Sequence, residues 1–243
     1  MVDNGYIVIN DHVVINDEAV FLGVFMVTRS QKRVVRTKQS LMVGALSAFT
    51  EYGIDASTIE MITERADVGK GTFYRHFSGK DEMLLALIEE AVDQLLDAIR
   101  KAVSAPKNLE DVLQGLVRAH MSFFLDNREE YVLLFQGRML IKLDREIADI
   151  EEPYRHYLDG IEALVRPYVP SVEPVRVRRL ACAVAGFVSG YLSFAMIAME
   201  PETLEKNLEP MRKAFVDGMT AFMGRQQSEH VNTFERNPNV HDV

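Results

Sequence analysis

Residues 57–84 read STIEMITERADVGKGTFYRHFSGKDEML, and the breaks in that run decide the fold. Ile59 and Ile62 recur at helical spacing, which predicts a helix over about 57–66. Ser57 and Glu60 have the S-x-x-E spacing of a capping box at its start. Asp67-Val68-Gly69 is a short break. Phe73 and Phe77 then recur one turn apart, predicting a short helix over about 70–77, and Ser78-Gly79 breaks the chain again. Two short helices joined by so tight a turn have the spacing of a helix-turn-helix, which presents its second helix outward. Ile59, Ile62, Val68, Phe73 and Phe77 supply an inward face. Lys70, Gly71, Thr72, Tyr74, Arg75 and His76 are left for the outward face and its edges. Every side chain in that set except Gly71 carries a hydrogen-bond donor. Glycine in a helix costs about 1 kcal/mol relative to alanine, and it fits where backbone must come close to a partner.

Working outward, the helical period continues on both sides. A helix over about 36–52 places Leu41, Ala45, Ala48 and Phe49 on one face, with Gly53 as its C-terminal cap. A long helix begins near Lys80, with Ser78 as a candidate cap, and runs to Arg100 or beyond. Further helices are predicted over about 109–126, 129–141, 146–166, 175–199 and 203–223, with Pro153, Pro167, Pro170, Pro174 and Pro201 at breaks or first turns. The expected fold is therefore all-α: an N-terminal three-helix helix-turn-helix domain over 29–82, a larger helical bundle over 83–225 and a polar tail over 226–243. Residues 1–28 differ in kind. GYIVINDHVVINDEAVFLGVF is rich in Val and Ile, with Asn-Asp pairs at turn spacing. Two readings stand for it: a small β-hairpin, or upstream sequence ahead of a natural start at Met26.

The net charge is −9, which by itself argues against nucleic acid, but it is unevenly spread. Residues 1–26 carry Asp3, Asp11, Asp17 and Glu18 and no Lys or Arg. Residues 27–80 carry nine basic and five acidic side chains, and the rest of the chain is acidic. One basic segment in an acidic protein fits a single module that meets phosphate, or a solvated charged face. The one cysteine, Cys182, excludes a disulfide framework and a cysteine-rich zinc site, and fits a reducing, cytoplasmic location. The start lacks the order of a secretory signal. No H-E-x-x-H, G-x-S-x-G, P-loop or dinucleotide fingerprint occurs, so no enzyme, metal or cofactor is expected. The rival to a DNA-binding reading is a helical protein–protein adaptor, which shares the all-α pattern.

The run from Arg36 to Leu87 closely resembles the signature of TetR-type (TetR/AcrR) transcriptional regulators, with its KGTFYRHF helix and the Lys80 beyond it. That resemblance implies a regulator that binds a double-stranded operator. Thr58 resembles the family's phosphate-contacting hydroxyl. Lys70, Gly71 and Thr72 resemble the start of the base-reading helix, and Tyr74 the aromatic at the groove wall. Arg75 stands where it can pair with a guanine edge. His76 and Lys80 resemble phosphate contacts. Arg29, Lys32, Arg33, Arg36 and Lys38 form a basic arm or a solvated linker ahead of the first helix. Asp67 and Gly69 depart from the glycine and serine usual in the family. Aspartate tolerates the left-handed turn, and a glycine cap costs only a few tenths of a kcal/mol. Glu60 lies near the DNA side and would repel phosphate if it pointed there, whereas a capping-box role turns it away.

Residues 180–199, LACAVAGFVSGYLSFAMIAM, are uncharged and long enough to be weighed as a membrane span. The Ala, Gly and Ser content and the absence of a second span favour a packed helix instead. The resemblance implies that the last two long helices form a two-fold dimer, with Gly186, Gly190, Phe194, Phe215 and Met219 at the interface. Two recognition helices about 34 Å apart then require a pseudo-palindromic operator. The resemblance also implies a small-molecule effector and release from DNA, with repression as the usual outcome. Phe123, Phe124, Tyr131, Phe135, Met139, Tyr154, Tyr157, Tyr191 and Phe194 offer apolar lining, and His120, Gln136 and Arg138 polar contacts. Aromatics at helical spacing equally fill a core.

Overall fold

A computed structural model of the chain describes residues 6–9, 12–15, 29–142, 147, 149–198 and 201–224. Among these, nine α-helices come after a two-stranded hairpin. The strands β1 (Tyr6–Ile9) and β2 (His12–Ile15) pair antiparallel, Tyr6 opposite Ile15 and Ile9 opposite His12. From residue 29 onward the described chain is helical, as expected. The helices are α1 (Arg29–Tyr52), α2 (Ile59–Arg65), α3 (Lys70–Phe73), α4 (Lys80–Ala102), α5 (Leu109–Asp126), α6 (Arg128–Lys142), α7 (Glu152–Val165), α8 (Pro174–Ala198) and α9 (Pro201–Gly224). The tail after Gly224 lies outside the described residues.

Two helix starts differ from expectation. The helix α1 begins at Arg29, seven residues before Arg36. Residues 29–37 hold no Gly or Pro, and Arg, Gln and Lys favour helix, so nothing stops the turn from propagating. The supposed arm is therefore two turns of helix. The helix α7 begins at Glu152, with Pro153 in its first turn. Asp149 just before it is left-handed, with φ 63°, which breaks the helix expected from residue 146.

Contacts divide the chain into two compact units. The first joins Met1–Ile99 to His120–Asp159, and the second joins Arg100–Ala119 to Gly160–Val243. In the first unit α4 is the main apolar element. Met83, Leu84, Leu87, Ile88, Ala91, Val92, Leu95, Leu96 and Ile99 are buried along one broad stripe. Asp81 and Glu82 in its first turn and Arg100 and Lys101 in its last suit the helix dipole. Helix α6 approaches α4 closely at Gly137, where an added Cβ would lie 2.7 Å from Ile88 Cδ1 and 2.6 Å from Tyr154 Oη. In the second unit Val177, Leu180, Ala181, Val184, Val188 and Leu192 of α8 are buried. Phe187 of α8 stacks on Phe215 of α9, with centroids 4.2 Å apart. No helix among the described residues is long and apolar enough to cross a membrane.

Candidate nucleic-acid interface

The head is built on α1. Leu41, Ala45, Ala48 and Phe49 are fully buried and meet Ile62, Phe73 and Phe77 in one core. Burial of side chains such as Phe73 stabilises by about 2–3 kcal/mol each. Gly44 lets α2 approach, since an added Cβ would lie 2.9 Å from the Ile62 carbonyl oxygen. Across the same pair of helices, Arg65 bonds Glu51 at 2.5 Å and lies 5.1 Å over the Tyr52 ring. Tyr52 and Arg65 hold the Glu51 carboxyl below its ordinary range. Gly53, with φ 83°, ends α1 as expected.

The start of α2 corrects the capping-box expectation. Thr58 is the N-cap, and its Oγ1 accepts from the Met61 N–H at 3.3 Å. Ser57 is buried instead, its Oγ 2.9 Å from the Ala48 carbonyl and 2.7 Å from that of Gly53. The physical reason is register. The core draws Ser57 inward, so the next hydroxyl takes the helix end. Glu60 does not reach back to the cap. It pairs with Lys70, the first residue of α3. The end of α2 matches the Asp67 expectation. Asp67 adopts φ 53°, its N–H reaches the Glu64 carbonyl at 3.2 Å, and the Val68 N–H reaches that of Thr63 at 3.0 Å. These are the two bonds of a Schellman stop, made with aspartate in the usual glycine place. Gly69 then caps α3 through backbone alone.

Only Lys70–Phe73 is regular helix; Tyr74–His76 continue as turns, with the His76 N–H on the Phe73 carbonyl at 2.9 Å. Phe73 and Phe77 point inward and are buried. Lys70, Gly71, Tyr74 and Arg75 are exposed, and Thr72 and His76 half-buried. Tyr74 is 57% exposed although its ring meets Phe73 edge-on, with centroids 5.5 Å apart. A Cβ added at Gly71 would meet nothing within 4 Å, so no contact within the chain requires glycine there. Thr58 is exposed, and its hydroxyl keeps its proton to donate after accepting from Met61.

Lys80 departs from its expected role as a phosphate contact. Its Nζ donates to the carbonyls of Ile54 at 2.7 Å, Asp55 at 3.2 Å and Ser57 at 2.9 Å. An ammonium has three N–H donors, and all three are used within the chain. Lys80 therefore fastens α4 to the α1–α2 loop. Beside it, Glu82 accepts the Ser78 backbone N–H at 2.7 Å. The bonds from Ser78, with Lys38 nearby, hold the Glu82 carboxyl below its ordinary range. Sequence reasoning missed both the Lys80 fastening and the Glu60–Lys70 pair, because each joins residues ten or more apart with no periodic signal.

The family model described as "Bacterial regulatory proteins, tetR family" matches residues 41–87, which span this head. This head is of the TetR type. Among proteins of known role it is similar to the HTH-type transcriptional activator FasR of Mycolicibacterium smegmatis, 31% identical over 97 residues, 40% of this chain and 44% of that protein. It is also similar to the HTH-type transcriptional regulator TcmR of Streptomyces glaucescens, 32% identical over 102 residues, 42% of this chain and 45% of that protein. The chain thus spans less than half the length of these two relatives. The fold extends further than the sequence match. The structure of the fatty acid degradation regulator FadR of Bacillus halodurans, at 16% identity and TM-score 0.59, covers 75% of this chain and 95% of its own.

Outside the TetR-type head, the candidate effector residues fall into three groups. His120 is fully buried, its Nε2 2.6 Å from Tyr157 Oη and its ring beside Phe124. Phe124 in turn meets Tyr131 edge-on at 5.2 Å, so these four share one cluster. Phe135 and Met139 are exposed on α6 instead, with Arg138 over the Phe135 ring, and Gln136 is half-buried. Tyr191 lies in the second unit, and its buried hydroxyl has no hydrogen-bond partner among the described residues. Tyr154 bonds the Leu134 carbonyl at 2.9 Å, and burial pushes its phenol up. Of the candidate interface residues, Gly186 and Phe194 are exposed on α8, while Gly190, Phe215 and Met219 are half-buried. The described residues hold no cluster of His, Cys, Asp and Glu able to bind a metal.

Proposed function

We propose that this chain is a DNA-binding transcriptional repressor that grips a pseudo-palindromic operator as a homodimer and releases it when a small molecule binds. The observation that carries the reading is the surface of α3 and the turn that follows it. Lys70, Tyr74 and Arg75 stand exposed around a glycine that no contact within the chain requires, on a head anchored by Phe73 and Phe77. Thr58, Lys70, Gly71, Thr72, Tyr74, Arg75 and His76 are the assigned contacts, and residues 29–82 are the DNA-binding domain. Lys32, Arg33 and Arg36, with Arg29 one turn earlier in register, recur at helical spacing on α1. Arg29 and Lys32 lie in the first turn of α1, where cations oppose the helix dipole, so their placement there fits contact with phosphate.

The dimer reading rests on α8. Cys182, Gly186, Phe194 and Ile197 are exposed on that helix, the last two at 75% and 84%. Apolar side chains so exposed beside glycines fit a second copy packed across a two-fold axis. Residues 83–225 then hold dimerisation and effector binding. The His120–Tyr157 pair inside an aromatic cluster of the first unit supplies a polar contact within an apolar site. Effector binding lowers DNA affinity by the ligand's differential affinity for the two states and no more. A DNA-binding role places the protein with the genome, which is the cytoplasm for a bacterial regulator.

Gel-shift titration against the protein's own upstream DNA, beside a scrambled duplex, tests the reading. A specific, salt-sensitive shift is expected. Equal binding to both duplexes across a genomic fragment library would leave the adaptor reading in its place.

A further inference from the structure

The two lysines that the motif offers to DNA are both engaged within the chain, in chemically different ways. Lys80 sits on neutral carbonyls and keeps its net charge. Lys70 sits on the Glu60 carboxylate and is neutralised. Both members of this second pair are about half exposed, with side-chain exposures of 55% and 52%, so burial does not hold them together. Glu60 occupies the first turn of α2, where the helix dipole favours a carboxylate. Lys70 opens α3, the first element of the surface assigned to DNA.

A Lys70 that turns to DNA must leave Glu60 behind. The freed carboxylate then lies within one side-chain length of the duplex, where phosphate repels it. It is stable there only against a hydrogen-bond donor. The major groove provides one on the cytosine N4 amino group, while the guanine of the same pair offers acceptors at N7 and O6. A lysine–glutamate pair is thus the chemical complement of a G·C pair, the ammonium for guanine and the carboxylate for cytosine.

We propose that Glu60 is a specificity-determining residue, which with Lys70 reads one G·C pair in each half-site and weakens binding to DNA that lacks it. This rests on the regulator reading. Glu60 restrains Lys70 in the free protein, and only a duplex that satisfies both groups recovers the exchange. Mixed-sequence DNA, which satisfies neither at most registers, is bound with one cation fewer.

The test compares wild-type protein with Glu60→Gln in two assays. The first measures affinity for a mixed-sequence duplex against salt concentration. The second selects binding sites from a random duplex pool and measures base preference at each position. Glutamine keeps the shape and removes the charge, and circular dichroism checks that the head remains folded. The Glu60→Gln protein is expected to bind the mixed-sequence duplex about tenfold tighter, with a salt slope steeper by about one, the value for one added phosphate contact. Its preference for G·C at one position of each half-site is expected to fall by about five- to tenfold. Lys70→Gln is expected to lose the same preference. Unchanged base preference overturns the proposal, even if mixed-sequence binding tightens, because that result reports only a deleted negative charge. A wild-type protein that enriches no sequence overturns the regulator reading as well, and that failure is recognisable because it is already present without the substitution.

Discussion

Replacing Lys80 with methionine keeps the aliphatic stem and removes the three bonds to the Ile54, Asp55 and Ser57 carbonyls. A hydrogen bond from a charged donor contributes about 1.5–3 kcal/mol. Water replaces part of that here, because Lys80 is only half-buried and the Asp55 carbonyl is exposed. A net loss of about 3 kcal/mol is therefore expected, between one bond and three. For a chain of this size that lowers Tm by roughly 6–12 °C. DNA affinity falls as well, because the loosened α1–α2 loop carries the cap that starts α2. Thermal unfolding by circular dichroism gives the first quantity, and binding measured well below both Tm values gives the second. If Lys80→Met melts with the wild type yet binds DNA at least tenfold more weakly, the ammonium serves phosphate and not the loop, and the reasoning is wrong.

The same geometry sets four further outcomes. Tyr74→Ala should leave stability within about 0.5 kcal/mol of wild type, because the ring is largely exposed, while weakening DNA binding about tenfold, the order of one lost contact. Gly44→Ala should destabilise the head by about 1–3 kcal/mol in urea unfolding, since the new Cβ meets the Ile62 carbonyl, which also accepts the Ala66 N–H at 3.0 Å. Arg33→Gln with Arg36→Gln should flatten the salt dependence of DNA binding by about two units of slope, and an unchanged slope would return those turns of α1 to solvent. The depressed Glu82 carboxyl contributes stability that is present above its ordinary titration range and lost as pH falls through it. Glu82→Gln should therefore shrink the acid-side loss of stability in melts between neutral and acid pH.

Sequence alone determined the head and the helical character of the chain beyond it. Phe73 and Phe77 one turn apart, the Asp67-Val68-Gly69 break and Gly53 are local signals. Each works through backbone conformation or helical period within a few residues, and each stands in the structure where the sequence places it. Helix starts were legible only where a breaker marked them. Gly79 marks α4, but nothing local stops α1 between Arg29 and Arg36. The choice between Ser57 and Thr58 as cap was not local either. It depended on which hydroxyl the core drew toward the Ala48 and Gly53 carbonyls. The partners of Lys70 and Lys80 lay further out of reach. Long flexible cations find whatever oxygen the tertiary fold brings near, ten residues away for Glu60 and more than twenty for the α1–α2 loop. Composition and period carry no record of that distance, so only the folded chain decides which of its charges remain available to DNA.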